Sequence, residues 1–158
     1  MATPHERLRE LGIVLPTPPP PAASYVQTRS VPIGDGRALL YIAGQVSADG
    51  DRLLQGRCPN EVSVEEAIRR ARSCALRVLA QIESAAGLDR VEALMQLIGF
   101  VLSTDDFGDQ PKVMNGASDL LVEVLGEAGK HTRAALGTSA LPFNVTIEIA
   151  AVAVVRTR

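Results

Sequence analysis

Arg133 and Glu148 are charged residues set in otherwise apolar, strand-forming sequence, HTRAALGTSALPFNVTIEIAAVAV over residues 131–154. A guanidinium and a carboxylate in such a setting must be paired, exposed at an edge, or used. An arginine presented from a strand is a planar, permanently charged fork that can hold a carboxylate through two charge-assisted hydrogen bonds. Structural roles are the competing reading. Arg133 can bridge copies of the chain through a carboxylate such as Glu148, and Glu148 can serve as a buried partner for backbone amides.

The remaining reactive side chains point less far. Cys58 and Cys74 are the two cysteines, with no CxxC, and His5 and His131 are the two histidines. No disulfide framework, zinc site or other cofactor is expected from them. Cys58 falls in a loop and Cys74 on the apolar face of a helical pattern, with no histidine or asparagine constellation to make either a nucleophile. His131 flanks Arg133 and reads as an exposed strand-entry residue that could tune a site there. Arg69, Arg70, Arg72 and Arg77 lie near Glu65, Glu66 and Glu83, the pattern of a solvated helix face, and no Gly-rich phosphate loop accompanies them. A net charge of -2 and 3% aromatic residues, with no Trp, argue against nucleic acid as a partner. Such a chain lacks both a basic footprint and base-stacking platforms.

These residues need a frame. At 158 residues, 46% apolar and 22% charged, the chain has the composition of one ordinary globular domain. Residues 1–22 read as an arm: a short helix over 5–11, then Gly12 and the prolines at 16 and 18–21, which impose an extended connector. Its two readings are a surface appendage and a segment that packs on a neighbouring subunit. The first residues are followed by no apolar signal core, and the longest apolar runs, 97–102 and 149–155, are too short to span a bilayer. A reduced, cytoplasmic protein, neither exported nor membrane-embedded, is the expectation.

Residues 24–31 and 37–46 read as strands around the turn chemistry of Pro32-Ile33-Gly34-Asp35-Gly36. Ala67, Ile68, Ala71, Cys74, Ala75, Val78, Leu79 and Ile82 recur at helical spacing over 63–86, opened by a Ser63/Glu66 capping box and stopped at Gly87. A strand over 91–102 and a helix over 109–126 follow, then two strands over 133–139 and 144–156 that should lie side by side. The order predicts an α+β sandwich, a mixed sheet with two helices on one face. The last strand is apolar on both faces, so the uncovered side of the sheet calls for burial against other copies of the chain.

Tyr25-Val26-Gln27, Ala43-Gly44-Gln45, and Arg133 eight residues before Leu141-Pro142, followed by Val145-Thr146-Ile147-Glu148-Ile149, resemble the reactive intermediate deaminase (RidA) family, also known as endoribonuclease L-PSP. The likeness covers roughly residues 23–156, within a RidA-like domain of 23–158, and residues 110–119 resemble a longer-chain, less characterised branch. The resemblance implies a chorismate-mutase-like (bacillar) fold, a homotrimer with clefts between subunits, and a 2-iminobutanoate/2-iminopropanoate deaminase-like hydrolase. Such an enzyme converts enamines or imines to 2-keto acids and ammonia. It implies Arg133 as anchor for the carboxylate of a small metabolite, Glu148 as the residue that positions water, and Tyr25 closing the cleft from across a subunit boundary. Gly44, Ala135 and Asn115 would line it. Ala43 stands where many members carry Ser and Ala135 where the well-studied branch often has Cys, each removing a polar contact. Two alternatives follow: a non-catalytic trimer that binds small keto acids, and an endoribonuclease. A mutase activity would rest on fold analogy alone.

Overall fold

Asp35 and Gly36, with φ of 50° and 68°, make the two-residue turn that joins strands β1 (Thr28–Gly34) and β2 (Arg37–Val46). Positive φ at both turn positions matches the right-handed twist of the flanking strands. The first strand starts later than expected and runs on through Pro32 to the turn, which an edge strand tolerates because one edge of its backbone is unpaired. The computed structural model describes residues 1–157, and Arg158, the end of the expected domain, lies outside them.

Beyond the hairpin come the short pair β3 (Ala48–Asp49) and β4 (Arg52–Leu53), then α2 (Val64–Ala85), β5 (Val91–Leu102), α3 (Gln110–Leu125), β6 (Thr132–Thr138) and β7 (Ile147–Arg156); the arm carries α1 (Pro4–Glu10). The main sheet is ordered β1-β2-β7-β5-β6, with β5 and β6 parallel and the other pairs antiparallel. The mixed sheet with α2 and α3 on one face is as expected. Ile147, Ile149, Ala151, Ala153 and Val155 of β7 are buried under the helices. A Cβ at Gly116 would overlap the backbone carbonyl of Ile68, so glycine lets α2 and α3 cross closely.

The expectation that β6 and β7 are neighbours is wrong. Because α3 returns the chain to the start of the sheet, β6 pairs in parallel with β5 and ends at an edge. The chain then turns at Pro142–Asn144 and places β7 between β2 and β5. A strand apolar on both faces is stabilised by the central position, and a short strand carrying Arg133 suits an edge.

The arm lies on its own chain. Leu8 is buried in the common core, Arg7 donates to the Val124 carbonyl at 3.3 Å, and His5 sits between Glu83 at 3.0 Å and Asp89 at 3.2 Å. On the sheet face away from the helices, Val31 (50% exposed), Tyr41 (51%) and Leu136 (47%) leave apolar surface open. No helix among the described residues is long and apolar enough to cross a membrane.

Candidate functional site

Glu148 alternates with the buried Ile147 and Ile149, so it points to the sheet face away from the helices. Opposite it, β2 bulges: Ile42 faces Ala151 and Gln45 faces Ile149, leaving Ala43 and Gly44 out of the ladder. A Cβ at Gly44 would overlap the Glu148 carboxylate, so the absence of a side chain gives Glu148 its place. A hollow of about 510 Å³ surrounds that carboxylate, with Tyr25, Ala43, Gly44 and Phe143 among its lining. Glu148 is half-buried and has no hydrogen-bond or ion-pair partner among the described residues, and burial raises its pKa above 4.5. An unpaired carboxylate of raised proton affinity in a concave site has the character of an acid–base group.

Phe143 and Asn144, next to the hollow, have φ of 57° and 58°. Two consecutive non-glycine residues in the left-handed region cost about 1–3 kcal/mol each, a kind of strain that concentrates at functional sites. Gln55 helps hold the turn by donating to the Phe143 carbonyl at 2.6 Å.

Arg133 belongs to a different place. Its register partner Leu97 is in the core, and its guanidinium is turned toward α3, on the helix side of the sheet. Nη1 donates to Asn115 Oδ1 at 2.9 Å and Ser118 Oγ at 3.1 Å, and Nη2 to the Pro111 carbonyl at 3.2 Å. Of the five guanidinium N–H groups, Nε–H and one Nη2–H are left without a protein partner among the described residues. His131 orders this side: Nδ1 lies 2.6 Å from the Gly129 carbonyl, which can only accept, so Nδ1 carries the proton. In the neutral ring Nε2 then accepts from the Ser118 hydroxyl at 2.9 Å, which turns the Ser118 lone pairs toward Arg133. His131 is thus a partly buried hydrogen-bonding residue and not an exposed strand entry.

The expected site residues fall into two groups. Tyr25, Ala43, Gly44 and Glu148 share one hollow. Arg133 and Asn115 are hydrogen-bonded to each other, and Ala135 follows on the same face of the edge strand. One chain does not join the groups, and Tyr25 stands beside Glu148 within a chain. Sequence reasoning missed Ser118 and Phe143, and it read the arm prolines as a connector and not as lining of the hollow, because these roles depend on packing between elements distant in sequence. The arginines of α2 are spent on protein partners, Arg69 and Arg70 on Glu66, Arg72 on Glu123 and Arg77 on the Gly50 carbonyl. Burial pushes the thiols of Cys58 and Cys74 up, away from nucleophilic chemistry.

Residues 12–154 match the family described as "YjgF/chorismate_mutase-like, putative endoribonuclease". The chain is 39% identical to Protein TCP17 of Trypanosoma cruzi over 145 residues, covering 90% of this chain and 88% of that one. It is similar in structure to Atu1372 of Agrobacterium tumefaciens, of unknown function, at TM-score 0.83, with 38% identity over 97% of this chain and 92% of that one. A "putative endoribonuclease" of Shewanella oneidensis MR-1 aligns at TM-score 0.87 and 30% identity, covering 96% and 99% of the two chains. E. coli TdcF, whose structure holds bound serine, aligns at TM-score 0.57 and 25% identity, covering 88% and 93%. A match over residues 12–154, together with structural likeness over nearly the full length of both chains, places the protein: it belongs to the YjgF/chorismate-mutase-like, L-PSP-type family.

Proposed function

We propose that this protein is a cytoplasmic hydrolase of small, carboxylate-bearing enamines and imines, releasing 2-keto acids and ammonia. Its clefts form where one copy presents Glu148, Tyr25 and Gly44 and another presents Arg133, Asn115 and Ala135, three such clefts closing a homotrimer. The observation that carries this reading is the Glu148 carboxylate, unpaired, raised in proton affinity and open to a hollow of substrate size. The apolar outer face of the sheet supports assembly, and the free N–H groups of Arg133 support anchoring of the substrate carboxylate in a cleft completed by a neighbouring copy. The serine in TdcF is a small amino acid, the class of ligand this anchor suits.

In the reaction, Arg133 holds the substrate carboxylate and Glu148 takes a proton from water as the water oxygen bonds to the imine carbon. The imine enters with its nitrogen protonated, so the electron pair of the C=N bond moves to that nitrogen and leaves a neutral amino group beside the new hydroxyl. Glu148 then gives its proton to this nitrogen, the C–N bond breaks to release ammonia, and the hydroxyl proton passes back to Glu148 and on to ammonia as the added oxygen becomes the keto oxygen. Positioning supplies much of the rate, because imines are already reactive toward water.

Generating 2-iminopropanoate or 2-iminobutanoate with an amino-acid oxidase tests this: ammonia release should be faster with the protein and lose that acceleration in Arg133→Ala and Glu148→Gln. Ala43 and Ala135, which lack the polar groups common in the family's well-studied branch, favour a second reading, a keto acid binding trimer. Keto acid binding by calorimetry without acceleration would establish that one. The "endoribonuclease" wording attached to relatives corresponds to a third outcome, RNA cleavage by purified protein that Arg133→Ala abolishes.

A further inference from the structure

The proline connector of the arm is a wall of the Glu148 hollow, which Pro19 and Pro20 line together with Ala22 and Ala23. Three glutamines from separate elements hold it there. Gln81 Nε2 donates to the Pro19 carbonyl at 3.3 Å and toward Gln45 Oε1 at 3.5 Å. Gln45 Nε2 donates to Gln27 Oε1 at 2.8 Å and to the Ala43 carbonyl at 3.0 Å, and Gln27 Nε2 donates to the Pro20 carbonyl at 3.1 Å. The links run head to tail, so each polarises the next, and Gln45 and Gln81 are buried at 1% and 4% exposure.

This network takes up the polar groups of the proline wall. Proline has no N–H, and the carbonyls of Pro19 and Pro20 accept hydrogen bonds from Gln81 and Gln27, so the wall offers ring carbons to its side of the hollow. Arg77, the cation in the lining, already donates to the Gly50 carbonyl at 2.9 Å. The hollow is therefore amphipathic, with an unpaired carboxylate at one place and the arm's hydrocarbon at another.

We propose that the glutamine-held proline wall sets side-chain specificity, making the cleft select 2-imino and 2-keto acids with an extended apolar side chain over the smallest members of the class. The wall needs a pre-formed, stiff segment, which consecutive prolines at 18–21 supply without hydrogen-bonding one another. The inference rests on the function proposed above, in that the carboxylate end of the ligand is anchored by Arg133.

The test is calorimetric binding of pyruvate, 2-oxobutanoate and 4-methyl-2-oxopentanoate, with hydrolysis of the matching imines in parallel. Affinity should rise by about fourfold for each added carbon that is buried, the ratio that removing one CH₂ from water supplies. In Pro19→Gly/Pro20→Gly, and separately in the milder Gln27→Ala, the ratio between the longest and shortest acids should fall toward one. Circular dichroism and the thermal midpoint check that each variant folds. A flat profile in the wild-type protein, or a folded wall variant that keeps the full ratio, overturns the proposal. Flat but Arg133-dependent binding overturns the wall alone. Absence of both binding and hydrolysis, or indifference to Arg133→Ala, overturns the function beneath it as well.

Discussion

Burial raises the proton affinity of Glu148, so the folded protein holds that proton more tightly than the unfolded chain does. By linkage the contribution is favourable below the ordinary value of 4.5 and is lost as pH rises through the raised one, leaving the ionised group a cost at neutral pH. Glu148→Gln should therefore melt at a higher temperature than wild type at neutral pH, and the gap should close as pH falls below 4.5. The same variant should hydrolyse imines at least about a hundredfold more slowly, the usual contribution of a positioned acid–base group. A neutral-pH midpoint at or below wild type would mean that the carboxylate has a stabilising partner. On the other side of the site, Ser118→Ala should raise KM about tenfold with a smaller change in kcat, because a charge-assisted bond that orients Arg133 is lost, and Ser118→Thr should recover most of it. Arg133 and Glu148 were legible in the sequence because charge inside an apolar run needs a reason. The Ser118–His131 pair was not, because its meaning depends on α3 lying against β6.

At the scale of elements, local signals were informative where one segment decides its own structure. Ser63 caps α2 by accepting from the Glu66 amide at 3.1 Å, as its sequence predicts. The reciprocal half of the expected capping box does not form, because the Glu66 carboxylate is drawn to Arg69 at 2.7 Å and Arg70 at 3.1 Å. Sheet order was less legible: nothing within residues 131–154 states that β5 will insert between the last two strands. The seating of α1 was also hidden, and it carries a titratable contact. The hydrogen bond to Glu83, then that to Asp89, raises the His5 pKa above 6.5. Its stabilising contribution is full below 6.5 and is lost as pH rises through the raised value. Both partners are exposed, so the effect is small. The thermal midpoint of His5→Gln should fall slightly below wild type below pH 6.5 and converge on it as pH rises past the raised value, and equal midpoints throughout would show that the contact does not hold α1.

For the whole molecule, the placement of Arg133 and Glu148 on opposite sides of one sheet makes assembly a requirement of the proposed chemistry. Val31, Tyr41 and Leu136 give the outer face an apolar surface that water covers poorly. Leu136→Glu should shift the protein toward smaller species in native mass spectrometry and reduce hydrolysis with it. A stronger test uses two variants that are each inactive. Each site in the proposed ring takes Arg133 from one copy and Glu148 from another, so Arg133→Ala and Glu148→Gln chains co-assembled in equal amounts rebuild intact sites. Random assortment around a closed ring gives about a quarter of the sites both residues. Hydrolysis should therefore return to about a quarter of wild type in the mixed assembly and stay absent when the two variants are assembled separately and then combined without exchange. If both residues acted from the same chain, no mixture could regenerate activity, because every chain would carry one defect in its own site. Recovery thus distinguishes a cleft shared between copies from one completed by rearrangement within a single chain.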